Sequence, residues 1–337
     1  MVSTLRGGLC LALVALLVGA AAPPPSQAPS PAAFEALRQA DLRVASVGYR
    51  LATANAAICL DHQPGLGLQL HSLGQYGVDA RAAARAAFGF ETGVAVEGVV
   101  PGSTAAAAGV RQGDSLVSID GAAVSAALPG ATVPPSTAER DRVEAQLERL
   151  PQAAPLTFGV KRGVQEQSFV ITPVPACRSA FEVLLGAGND SAADGSIIQI
   201  DAGLLDSLSD DDLAVVLAHE LSHNILHHRA RLEAAGAHWG ILAEIGKNGR
   251  LMGQAEIEAD RLSVYLLANA HYDPFSAGRF WRGAGRKLDF GILRSRIYLS
   301  WKDRAALLDR EAATIPTGAK LPYRPPLIDL ATTPMTR

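Results

Sequence analysis

Aromatic residues are scarce in this chain, at 5% of 337 positions, and alanine and glycine do much of the filling. No sign of charge dominates: 30 basic residues against 33 acidic ones leave a net charge of -3. With no dense basic run either, the composition makes no electrostatic case for nucleic acid as a partner. Beyond the N-terminus, no apolar stretch is long enough to cross a bilayer, so the mature chain is expected to have no transmembrane span. Cysteine is nearly absent, with three in the whole chain.

What is present begins with an apparent leader. Residues 1–22 carry Arg6 as a positive start, a short apolar core from Leu9 to Val18, and the small residues Gly19-Ala20-Ala21-Ala22. That is the pattern of a secretory signal, so the mature protein is expected to be exported, periplasmic or secreted, with an uncleaved N-terminal anchor as the alternative. Cys10 lies inside the apolar core and does not suit lipid attachment. Removing the leader leaves Cys59 and Cys177. In an oxidising compartment this even pair is a candidate disulfide; the alternative is two buried free thiols.

Residues 23–33 form a proline-rich linker. Residues 34–85 read as a helix, one alternating strand around Leu66, Leu68 and Leu70, and a short helix, with no chemistry assignable to them. His62 and His71 read as surface or packing residues. From residue 86 to 173 the pattern changes to short strands and glycine turns. Pro101-Gly102-Ser103, Ala108-Gly109-Val110, Gly113-Asp114 and Ile119-Asp120-Gly121 resemble a PDZ domain of the kind found in bacterial periplasmic proteases. The resemblance implies a groove between a sheet edge and a helix, where a peptide C-terminus adds as a strand. Phe88-Gly89-Phe90 is the expected carboxylate-binding loop.

Residues 174–337 carry the chemistry. Strands are expected at 181–185 and 196–201, with a polar loop at 189–195 between them. Ser209 then caps a helix that runs through Leu213–Ala218 into His219-Glu220-Leu221-Ser222-His223. In this H-E-x-x-H pattern the two histidines lie four apart on one helix face and can share a metal ion. Glu220 stands beside the metal, where a general base acts on a metal-activated water. A catalytic zinc usually takes a third protein ligand. The metzincin continuation is excluded, because Leu226 replaces its glycine and Arg229 its third histidine. His227 is rotated off the metal by a straight helix, and Glu256-Ile257-Glu258-Ala259-Asp260 on a second helix is the better source.

The H-E-L-S-H segment followed by E-x-E-A-D resembles the gluzincin metallopeptidases that include HtpX and the CAAX prenyl endopeptidase, of the soluble periplasmic type. The resemblance implies Zn(2+), with Glu256 as third ligand and Asp260 supporting a ligand histidine from behind. Glu258 is left as a solvated face residue, and His228, which matches a histidine often found after the motif, is left without a role. Relatives carry a histidine near Tyr298, ahead of Arg304; Tyr298 is a candidate for an oxyanion or gating role.

The expected fold class is therefore α+β: a small mixed PDZ domain, β-sandwich-like, followed by a mainly helical zincin-type domain with a small sheet. The expected function is an exported zinc endopeptidase acting on protein substrates in envelope quality control, with clients recruited through the PDZ groove. The alternative is a periplasmic chaperone or scaffold that binds unfolded or C-terminal peptides with little proteolysis.

Overall fold

Ser30 accepts a hydrogen bond from Ala33 N at 3.2 Å and caps helix α1 (Pro31–Ala54) within the last residues of the linker. The computed structural model describes residues 29–124, 127–130, 132–186, 188–238, 246–288 and 299–335. The leader at 1–22, most of the linker and Tyr298 lie outside them. Among the described residues no helix is long and apolar enough to cross a membrane.

After α1 come β1 (His62–Gly65), β2 (Leu68–Ser72), α2 (Arg81–Phe88), β3 (Val94–Val99), α3 (Thr104–Ala108), β4 (Ser115–Ile119), β5 (Ala122–Ala123), α4 (Ala138–Glu148), β6 (Leu156–Arg162), β7 (Gln165–Ile171) and β8 (Val174–Cys177). Strands β2-β3-β4-β6-β7 form one antiparallel sheet, with β5 paired to β4. Leu70, Val96, Leu116 and Phe158 of this sheet share a core with Val143 and Leu147 of α4. The sheet therefore begins at β2, upstream of the boundary expected at residue 86, with Leu68 opposite Val99 and Ser72 opposite Val94.

The neck of this domain is a second, two-stranded sheet. β1 and β8 pair antiparallel from His62 opposite Cys177 to Gly65 opposite Val174. Cys59 and Cys177 are joined by a disulfide beside that pairing, with Cα atoms 5.6 Å apart and a sequence separation of 118. The chain thus goes out into the sheet domain along one strand and returns along its neighbour, and a covalent clamp holds the two together.

The rest comprises β9 (Ala180–Leu184), β10 (Ser191–Ala193), β11 (Ile197–Asp201), α5 (Ala202–Asp206), α6 (Asp210–Ile225), α7 (His228–Ala234), α8 (Gly246–Asn269), α9 (Ser276–Arg282), α10 (Gly285–Leu288) and α11 (Trp301–Ala312). The strand order is β10-β11-β9, and β10 lies in the segment expected as a loop. Helix α6 is the hub. Leu213, Leu217 and Leu221 are fully buried and share one core with Leu262 and Leu266 of α8 and with Val44, Val47 and Leu51 of α1. Helix α1, first in sequence, belongs to this C-terminal body.

One expectation about the groove is corrected. Phe88 and Phe90 are buried, packed with Phe34, His71 and Tyr76, and so cannot form a carboxylate-binding loop. Strand β2 is the sheet edge that faces α4, and Gly65-Leu66-Gly67 leads into it. Gly67 has φ +73°, and a Cβ there would run into Ser103, so this turn needs glycine.

Candidate metal centre

Local chemistry explains why α6 starts where it does. Ser209 Oγ accepts from Asp212 N at 3.2 Å, and Asp210, Asp211 and Asp212 fill the first turn, where the helix dipole favours negative charge. The last two turns carry His219, Glu220 and His223, at the end where the dipole favours a cation. Helix α8 packs along α6 and supplies Glu256.

The three side chains converge. His219 Nε2 is 3.1 Å from His223 Nε2, and Glu256 Oε2 and Oε1 lie 3.3 and 3.6 Å from those two nitrogens. Zinc bonds of about 2.0–2.1 Å in a tetrahedron put donors about 3.3 Å apart, so the spacing suits that ion. The side chains are 15%, 16% and 24% exposed, which leaves a further coordination position reachable from the cleft.

Each of the two ligand histidines is held from behind. His219 Nδ1 is 3.0 Å from Asp260 Oδ1, off the straight N–H line. Asp260 is fixed by the Arg304 fork, Nε to Oδ2 at 2.7 Å and Nη2 to Oδ1 at 2.6 Å, and the guanidinium lies 3.9 Å over the Trp281 ring. A carboxylate so occupied is acceptor-only, so the Nδ1 facing it carries a proton, and Nε2, turned toward Glu256, is the atom a metal would take on displacing its proton. His223 Nδ1 is 2.8 Å from His228 Nδ1, and His228 Nε2 is 3.1 Å from Glu258 Oε2. Glu258 is therefore buried in a polar chain and is not the solvated residue expected from the sequence.

Electrostatics follow from burial and these partners. Burial alone would lower the His219 pKa, but hydrogen bonds to Asp260 and Glu256 outweigh it and push it up to about 10. Burial takes His223 down to about 4, because Glu256 compensates less. Burial would raise Glu256, yet the hydrogen bond from His219 and the neighbouring positive charges bring it to about 2. Burial raises Glu220 above the ordinary carboxylate range, the direction that suits a base taking up a proton near neutral pH.

The cleft, about 800 Å³, has two unlike walls. One is β10, the free edge of its sheet. Ser191 Oγ of β10 donates to Glu220 Oε1 at 2.8 Å, and Gly195 N donates to Asn224 Oδ1 at 2.8 Å, so two bonds pin the β10–β11 hairpin to α6. The other wall is apolar, with Leu204, Val216, Ala277, Phe280 and Leu308. Sequence reasoning missed Ser191. The E-x-E-A-D motif already contained Glu258, but only its contact with His228 gives it a place. His227, with φ +52°, turns away to Asp61 Oδ2 at 3.0 Å, and His271 sits just past the end of α8.

Fold and site together define a PDZ-bearing metallopeptidase architecture. Residues 61–133 match the family model of the PDZ domain, and residues 191–249 match that of peptidase family M48, whose members are zinc-dependent. The chain carries both domains. Among solved structures, the HtrA3 PDZ domain bound to a phage-derived ligand (FGRWV) is similar at 17% identity, covering 34% of this chain and 88% of that chain, with a TM-score of 0.24. No curated protein matches.

Proposed function

We propose that the protein is an exported zinc endopeptidase in which His219, His223 and Glu256 hold the ion and Glu220 is the general base. The single observation that carries this reading is the convergence of three metal-ligating atoms, all within 4.8 Å of one another, beside a buried glutamate. Zinc, when bound there, supplies a Lewis acid that polarises the scissile carbonyl and acidifies the attacking water. The chain's own part is positional and protonic. The free edge of β10 aligns an extended substrate along the cleft. Glu220, steered by Ser191, takes a proton from the attacking water and delivers it to the leaving nitrogen. The apolar wall receives a substrate side chain.

The disulfide supports an oxidising compartment, and so supports export of the kind the leader implies. Work on misfolded envelope proteins fits an open cleft of about 800 Å³. Recruitment through the PDZ groove needs a movement, because Phe181 and Glu182 of β9 cover it: Gln69 Nε2 donates to Phe181 O at 2.8 Å and Arg140 pairs with Glu182 at 2.9 Å. This cover also speaks against a scaffold that binds clients with the chain at rest.

The test is Glu220→Gln in the purified mature chain. Zinc content stays at one ion per chain while casein cleavage falls at least about a hundredfold. Unchanged turnover would sink the mechanism.

A further inference from the structure

His223 needs its second ring nitrogen held as much as His219 does, but among the described residues no carboxylate touches it from behind. Its neighbour is another histidine. Helix α6 stops at Ile225, and His227 in the left-handed conformation (φ +52°) starts α7 at His228. This break brings the His228 ring against that of His223, with centroids 4.8 Å apart and planes at 71°. The Nδ1 atoms are 2.8 Å apart, so one of them carries the proton and the other accepts it.

The far end of the chain decides which. His228 Nε2 is 3.1 Å from Glu258 Oε2, the oxygen that also accepts from Arg231 Nη1 at 2.7 Å. Gln254 Nε2 donates to Oε1 at 2.7 Å. A carboxylate receiving an arginine and an amide is acceptor-only. His228 Nε2 therefore carries a hydrogen, and its Nδ1 is a bare acceptor. The only proton that can bridge the two rings then sits on His223 Nδ1, which leaves His223 Nε2 bare toward His219 and Glu256. His228, Glu258 and Arg231 are 1%, 6% and 7% exposed, so water does not compete for these bonds. Arg231 Nε also donates to Thr333 O at 2.9 Å, tying the relay to the C-terminal segment.

We infer that Glu258 and His228 form a tautomer lock for His223: a positioning pair that fixes its ring and presents its Nε2 lone pair to the metal. The inference rests on the zinc-site reading proposed above. It gives Glu258 a role distinct from Glu256, two residues away on the same helix, and gives the two ligand histidines unlike supports.

The experiment uses the full mature chain with Zn(2+), followed by competition with a chromophoric chelator, and with Co(2+), whose visible absorption reports the ligand field. In His228→Leu, which removes the acceptor, zinc affinity falls about 10–100-fold and the cobalt spectrum changes. In His228→Asn, whose amide can accept from His223 and donate to Glu258, affinity returns toward wild type. Glu258→Gln tests the same link from the other end at constant volume, should His228→Leu fail to fold, and weakens zinc about tenfold. Wild-type zinc affinity and an unchanged cobalt spectrum in the folded variants, even with a lowered melting temperature of the metal-free protein, would overturn the lock and leave His228 as packing. A wild type that takes up no zinc would overturn the site reading itself, and the lock with it.

Discussion

Two concave regions of the molecule are in opposite states. The cleft at α6 and α8 is open, about 800 Å³, with an unpaired strand edge on one side. The groove between β2 and α4 encloses only about 130 Å³, below the roughly 300 Å³ at which ligand pockets begin. The two lie at opposite edges of one small sheet: β10 borders the cleft, and β9 covers the groove. Gly48 of α1 makes the cover possible, since a Cβ there would stand 2.6 Å from the Phe181 ring. One site is pre-organised for chemistry, and the other is shut by the chain's own backbone. On the function proposed above, catalysis belongs to the resting structure and any PDZ capture to a displaced one.

The comparison can be broken most severely at the cleft. Glu256→Gln removes a charged metal donor, and zinc content by elemental analysis and casein cleavage fall together to background. Zinc retained at full occupancy would move the third ligand elsewhere. Opening the clamp between the two regions comes next. Replacing both Cys59 and Cys177 by serine frees a closed loop of over a hundred residues and costs about 3–5 kcal/mol by the chain-entropy estimate. Urea unfolding measures this, and cleavage at low temperature is largely kept, since neither cysteine touches the cleft. Asp260→Asn, which loosens the Arg304 fork behind His219, weakens zinc about 10–100-fold in the chelator assay.

Smaller effects sharpen the groove side. Arg140→Ala cuts the ion pair to Glu182, and binding of a labelled C-terminal peptide rises several-fold; equal binding in wild type would show the groove already open. Within electrostatic reach of Arg140 lies a pH-sensitive acid, Glu97. Burial, then the neighbouring Asp41, push Glu97 up to about 8. Arg38 and Asp41 of α1, His71 of β2, and Arg140 of α4 face it, with Tyr76 beside His71. A carboxyl with a raised folded pKa holds its proton in the fold and loses it on unfolding. Its effect is absent below about 4.5 and lowers stability progressively as pH rises toward 8. Glu97→Gln therefore gains melting temperature over wild type as pH is raised from 5 to 8.5, and a pH-independent difference would contradict the assignment.

What could be read from the sequence was local. The cap at Ser209, the paired histidines four apart and the Glu256–Asp260 spacing each sit within one helix, whose geometry is fixed by its own backbone hydrogen bonds. The short strands of the PDZ sheet were legible for the same reason, through alternation and glycine turns. Harder to read was membership. Helix α1 looks like a prelude to the PDZ domain, yet its apolar stripe is buried against α6, more than 150 positions later. The first 85 residues are shared between two cores, and no local pattern announces that division.

By itself the sequence determined the H-E-x-x-H motif, the helix that bears it and the presence of a PDZ domain, because local motifs and short-range spacing specify those. Tertiary structure alone decided that β10 rather than a loop borders the cleft, that the Phe88–Phe90 segment is core, that β9 closes the groove, and that His228 and Glu258 stand behind His223. The deciding contacts include Ser191 to Glu220, 29 positions apart, His228 to Glu258, 30 apart, and Gln69 to Phe181, 112 apart. Such contacts arise when buried polar groups find their partners across the assembled core, where leaving them unpaired would cost stability.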